Sequence, residues 1–414
     1  MRGRQGTAQL LVTALATTVA ASAVFFWGST GTAHAQLDPA TRALLYLQTQ
    51  QSAADGSLPN ADFFSSELYA IGAAAAGYDP NVVRNGAGPS VIDFLNGHAV
   101  AACPAAADAA PSAGRCGALI QAVVAAGKNP HAFGTLDLVS RLNAYFNSAN
   151  GGYGDHLAFT QALALQGLVA AGASVSPVAV TFVENAQDTD GGWNFTAVKN
   201  DPNNGSDTNS TAMLLMALDA AGDHTRDAPA LQWLHAQQNA DGGFSFQATT
   251  PASPSDPDST ALVVQAIIGA GQDPAGCAWS KSGHTPHSEL IATQDASGGY
   301  AFPGNPSPDA FTTAQVPPAL DGVPLPVPFD DRVFYQPGTP LPAAATTPTP
   351  APSPTATPCP SPTAGVESQS TPGAPPTGAS NGPPGIFGYG LLLIATLSVG
   401  GGAALRRRRK RVSA

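Results

Sequence analysis

An all-α chain made of six helix–turn–helix repeats is what this 414-residue sequence predicts, and three observations carry that reading. Ala-rich apolar segments closed by glycine recur at Gly77, Gly127, Gly172, Gly222, Gly271 and Gly322, at intervals of 50, 45, 50, 49 and 51 residues. A turn recurs ahead of them: QDTDGGWNF (187–195), QQNADGGFSF (237–246) and QDASGGYAF (294–302). The glycine-closed segments are apolar on every side, as inner helices packed all round would be. Two-helix units of this kind stack as an open solenoid or close into a ring.

The chain opens with an export-type segment, residues 1–35. Arg2 and Arg4 precede an apolar run, and Ala33-His34-Ala35 has the small-x-small form of a cleavage site. The mature chain is expected to begin near Gln36. The repeat domain then runs over 36–325. In each unit a first helix leads into the turn, and a second helix ends at the closing glycine, which suits a left-handed cap. Asp79-Pro80, Asn129-Pro130 and Asp273-Pro274 stop three of these helices. In the fifth unit ALQWLHAQQ (230–238) puts Leu231, Trp233 and Leu234 on one face, with Gln232, His235 and Gln237 polar, as an outer helix requires. The second unit, VIDFLNGHAVAAC, lacks the turn. Cys103 and Cys116 bracket a loop-like stretch there and are expected to form a local disulfide in its place. Cys277 and Cys359 have no evident partners.

Past the repeats, residues 326–384 form a Pro/Thr-rich linker that reads as an extended, disordered stalk. Residues 385–405 are uncharged and about long enough to cross a bilayer, and a basic tail, 406–414, begins RRRRKR. The chain is therefore expected outside the cell, held by its C-terminus. Without Arg2, Arg4 and the six residues of RRRRKR, 9 basic residues face 28 acidic ones, a net of −19. Such a surface excludes nucleic acid and anionic lipid as partners.

The turns resemble the QW motif of the terpenoid cyclase and protein prenyltransferase toroids. Ala179, Phe182, Val183, Gln187, Gly191 and Trp193 carry the pattern in unit four, and Ala230, Trp233, Leu234, Gln238, Gly242 and Phe244 in unit five. Unit six keeps Leu290, Gln294, Gly298 and Tyr300. Unit three keeps Asn147, Gly151 and Tyr153, and unit one has Tyr46, Leu47 and Gln51 with one residue inserted before Gly56. The resemblance spans roughly residues 40–322 and implies an (α/α)6 toroid. In that architecture the aromatic residue packs under the turn, worth roughly 1.5–3 kcal/mol each, while the glutamine satisfies open backbone groups.

For chemistry, SDPDSTALVVQAI (255–267) resembles the Asp-x-Asp-Asp-Thr-Ala segment of class II terpene cyclases. By position the resemblance implies Asp258 as proton donor and Asp256 as its neighbour, but Ser259 stands where the fourth Asp belongs. The same residues also suit a helix N-cap, and SDTNSTAMLLMAL (206–218) repeats that layout without the chemistry. A zinc site of the prenyltransferase type fails, since Ala275 replaces the aspartate two residues before Cys277, leaving only His284 and His287 nearby. DTDGG (188–192) and DPNNGSD (201–207) match no complete calcium loop. No metal and no cofactor are expected. APPTG (374–378) resembles a sortase signal with Ala374 in place of Leu, so the chain is expected on the membrane or cell wall of a bacterium.

The leading expectation is a monomeric, surface-anchored toroid that binds a hydrophobic or amphipathic small molecule without chemistry. Asp207, Asn209, Thr260, His156 and Thr160, all near starts of inner helices, would contribute to the site with Asp258. Extracellular cobalamin carriers share the implied barrel. The alternatives are a squalene-type class II cyclase using Asp258 and a purely structural wall protein with a filled core.

Overall fold

The computed structural model describes residues 37–108, 112–247, 253–327 and 338–343. The export segment, most of the stalk, the C-terminal apolar span and the basic tail, with Cys359, lie outside the described residues. Among those described there are helices and isolated bridges but no β-strand, and no helix is long and apolar enough to cross a membrane.

Among the described residues fourteen α-helices follow one another in six units. Unit one has α1 (Pro39–Gln50) and α2 (Phe63–Ala75); unit two has α3 (Val91–Gly97), α4 (Ala99–Ala102) and α5 (Ala113–Ala125). Unit three has α6 (Leu138–Asn143) and α7 (Ala158–Ala170), and unit four α8 (Pro177–Ala186) and α9 (Thr208–Ala220). Unit five has α10 (Asp227–Gln237) and α11 (Pro257–Gly269); unit six has α12 (Pro286–Thr293), α13 (Ala310–Gln315) and α14 (Pro317–Leu320). Helices α2, α5, α7, α9, α11 and α13 each pack on the next, and α13 returns to α2. Of the two arrangements open to two-helix units, the ring is the one formed. The outer helices α3, α6, α10 and α12 lie against the inner helix of the preceding unit, and α1 against α13 and α14, so the first and last units are joined at both layers.

Small residues set the spacing of the inner ring. A Cβ on Gly117 would lie 2.1 Å from the Leu163 carbonyl oxygen, and one on Gly167 2.7 Å from the Gly117 Cα, so α5 and α7 meet backbone to backbone. The inner helices α2, α5, α7, α9 and α11, and α14 in unit six, are each followed by the expected glycine at positive φ, and the N–H beyond it reaches back, as Tyr78 does to Ala73 and Asp223 to Leu218.

Four of the turns are fastened the same way. Gln51, Gln187, Gln238 and Gln294 each donate a side-chain N–H to the carbonyl of the first turn glycine, at 2.9 Å. The aromatic residues Tyr153, Trp193, Phe244 and Tyr300 are buried beneath. The fourth residue of the inner helix then ties the helix to its turn. The hydroxyls of Thr211, Thr260 and Thr313 accept from the N–H of Trp193, Phe244 and Tyr300, and the Gln161 amide oxygen from that of Tyr153. Ser66 takes this place in unit one, accepting from Leu58 N–H. In unit two, which has no Gly-Gly turn, the fourth residue of α5 is Cys116, disulfide-bonded to Cys103. A covalent bond occupies the position that a hydrogen bond holds elsewhere in the ring.

Residues 338–343 belong by composition to the linker, yet they pack on unit one. Asp79 N–H donates to the Thr339 carbonyl at 2.9 Å, the Asp79 carboxylate accepts from Gly338 N–H, and Leu341 is buried. Cys277 is disulfide-bonded, although the sequence shows no evident partner for it.

Candidate functional site

Since the fourth residue of each inner helix faces its outer turn, helix geometry fixes what faces the ring axis. At 100° per residue the second, sixth and ninth positions lie within about 40° of the opposite side. The second position holds Phe64, Gly114, Phe159, Asn209, Asp258 and Phe311 around the ring. Phe64 and Phe311, on neighbouring helices and half-buried, approach to 6.4 Å between ring centroids. Below them come Leu68, Leu163, Met213 and Leu262, then Gln121, Gln166 and Gln265. Both amide atoms of Gln121 and Gln166 are buried without a protein partner. The axis thus opens on three phenylalanines with one amide and one carboxyl, passes a leucine–methionine layer, and reaches a layer of unsatisfied amides.

Asp258 and Asn209 occupy the same place on the adjacent helices α11 and α9, and the Oδ1 atom of each is buried without a partner. Burial pushes the Asp258 carboxyl well up, and Asp256 and Asp309 add to it; Thr312 opposes with a hydrogen bond. Burial and the neighbouring charges both favour the protonated form of this carboxyl over the charged one.

Asp256 and Asp207 do different work. They are the N-caps of α11 and α9, accepting at 2.7 Å from Ser259 N–H and Ser210 N–H, as Asp62 and Asp309 do for α2 and α13. Burial raises Asp256, and raises Asp207 to about 7. Thr260 is spent on the turn, its hydroxyl shared between Phe244 N–H and the Phe244 carbonyl. His156 stands at positive φ within its own Gly-Gly turn, edge-on to Phe182 at 6.0 Å between centroids. Thr160 packs on α5 at Gly114. Of the seven residues proposed for chemistry or binding, only Asp258 and Asn209 share the axial face with free polar atoms.

Glu289, on outer helix α12, is an unforeseen member of this region. It is 5 % exposed with Oε2 unpartnered, and burial, aided by Asp241 and Asp256, pushes it to about 8. Its side chain covers Gly243, where Trp233 covers Gly192 and Tyr46 covers Gly299. Aligning the units would have shown it, because Glu289 precedes Leu290 as Trp233 precedes Leu234 and Phe182 precedes Val183.

The acidic loops DTDGG and DPNNGSD bind one another. Asp188 accepts from Asn194, Ser206 and Asn200, and Asp201 from Thr196 and Asn204. A cavity of about 670 Å³ lies at the far ends of α7 and α9, lined by Val169, Val175, Val180, Glu184 and Asp223 among others, away from Asp258.

No family model and no curated protein matches the chain. Among solved structures it is similar to the type II terpene cyclase MstE from Scytonema, at 15 % identity and TM-score 0.47, covering 68 % of this chain and 96 % of that one. Similarity to ent-copalyl diphosphate synthase from Streptomyces platensis is 19 % with TM-score 0.44 over 63 % of this chain, which spans half the length of that protein. A protein from Actinoplanes aligns at 15 % identity and TM-score 0.44, over 69 % of this chain and 98 % of its own.

Proposed function

We propose that the axial face at the inner-helix N-termini binds an amphipathic small molecule without transforming it. The observation that supports this is the pair of unpartnered Oδ1 atoms of Asn209 and Asp258 on the same face as Phe64, Phe159 and Phe311. A protonated Asp258 donates a hydrogen bond and Asn209 can donate and accept, while the phenyl rings take an apolar body. The apolar layer of Leu68, Leu163, Met213 and Leu262 below offers depth without charge. Export by residues 1–35 and retention through 385–405 would display this face outside the cell, where an acidic surface keeps it soluble.

One observation favours a second reading, a class II cyclase-like activity. A buried carboxyl whose environment favours its protonated form, on one face with three phenylalanines, suits the protonation of an alkene or epoxide. The two readings separate by product. The full-length chain and its Asp258→Asn variant are incubated with squalene, geranylgeranyl diphosphate and cobalamin, then followed by native mass spectrometry and product extraction. Binding of an unchanged molecule, retained in Asp258→Asn, supports the binding reading. A cyclised product that disappears in Asp258→Asn overturns it, and no bound mass with any probe counts against both.

A further inference from the structure

Where α9 leads into α10, far from the axial face, Asp219 of α9, His224 of the loop and Asp227 of α10 bring their ligating atoms all within 4.8 Å of one another. His224 Nδ1 is 3.0 Å from Asp219 Oδ1 and 3.1 Å from Asp227 Oδ2. A single Nδ1–H cannot serve two carboxylates fully. The remaining oxygens, Asp219 Oδ2 and Asp227 Oδ1, are buried and have no partner. Asp219 is the more demanding group, since its side chain is only 4 % exposed. It also lies in the last turn of α9, where the helix dipole is negative and an anion is disfavoured. Asp227 stands at the first position of α10, whose dipole has the opposite sign.

Two carboxylates drawn together, one buried at the wrong end of a helix, call for more positive charge than one imidazole brings. Glu184 and Asp223, joined through the Thr225 hydroxyl, add further negative charge alongside; Arg226 is the basic residue of the loop. We propose that Asp219, His224 and Asp227 form a binding site for a divalent transition-metal ion of the zinc type. A tetrahedral ion with bonds of about 2.0 Å sets its ligands about 3.3 Å apart, so both imidazole–carboxylate separations need open by only a few tenths of an ångström. The imidazole nitrogen selects for zinc-like ions over calcium and magnesium, which prefer oxygen alone. His224, at 59 % side-chain exposure, leaves the outer side of the ion for water.

The test uses the full-length chain stripped with a chelator and titrated with Zn²⁺ by calorimetry and with Co²⁺ by visible absorption. One Zn²⁺ per chain, a tetrahedral Co²⁺ spectrum, and affinity at least 30-fold weaker in both His224→Ala and Asp227→Asn are expected. His224→Ala changes an exposed side chain, and circular dichroism checks that each variant is folded. Metal-free Asp227→Asn is also expected to melt higher than metal-free wild type, because it removes the like-charge contact. Absence of Zn²⁺ binding by the wild type overturns the proposal. So does binding that both substitutions leave unchanged, or equal affinity for Mg²⁺ and Zn²⁺.

Discussion

Replacing Glu289 by glutamine should stabilise this protein, and the size of the effect follows from where the carboxyl sits. In the folded chain burial, with Asp241 and Asp256 adding repulsion, carries it from the ordinary 4.5 to about 8. Between those values the folded state holds a proton that the unfolded state releases, so stability is full below pH 4.5 and falls as pH rises to 8. At pH 7 the cost of keeping that proton is about 3 kcal/mol, at 1.36 kcal/mol for each tenfold step in proton concentration between 4.5 and 7. Between pH 5 and pH 7 the same group removes about 2.5 kcal/mol. Glutamine keeps the shape and still covers Gly243. Urea unfolding of wild type and Glu289→Gln at pH 5, 6, 7 and 8 reads the difference directly. The variant should be about 2–3 kcal/mol more stable at pH 7, with the gap nearly closed at pH 5. Asp207, Asp219 and Asp321, raised to about 7 chiefly by burial, act in the same direction and cancel in the comparison. A gap that stays constant with pH, or a variant less stable than wild type at pH 7, would refute the assignment of Glu289 as a buried, protonated acid.

Three further outcomes follow from the ring's joints. Gly242→Ala should cost about 2–4 kcal/mol in chemical unfolding, because φ is +89° and the new Cβ would sit 2.8 Å from the backbone at His284 and Thr285. Thr211→Val keeps the volume but strands the buried Trp193 N–H, so a loss of about 1–3 kcal/mol is expected by the same measurement. The double substitution Cys103→Ser with Cys116→Ser opens a loop closed over a separation of 13 residues, and a loss of about 3 kcal/mol should appear in thermal unfolding, more than at the hydrogen-bonded joint of Thr211.

Much of the ring was written in the chain. The closing glycines, the burial of Trp193, Phe244 and Tyr300, and the capping by Asp207 and Asp256 depend on residues a few places apart, so spacing alone reveals them. Even the substitution of a disulfide for a turn in unit two could be anticipated from what VIDFLNGHAVAAC lacks. The candidate site was legible only in part. Nearness to an inner-helix start gathers Asp207, Asn209, Asp258, Thr260, His156 and Thr160 alike, but Thr160 and Thr260 lie one and two positions beyond the axial second position, a rotation of 100° or 200°, and His156 precedes its helix.

What the sequence by itself determined is the repeat: helix, turn, helix, cap, six times over, each part stabilised by contacts within its own unit. What only the tertiary structure decided is where protons and charges rest. The Asp258 carboxyl is pushed up because the ring excludes water from it and Asp256 and Asp309 stand near. Glu289 is protonated because the fifth unit's turn closes over it, and Asp219 meets Asp227 because the loop from α9 folds back at the start of α10. Burial and neighbouring charge are properties of assembled surfaces, and they exist only once helices distant in the chain are packed together.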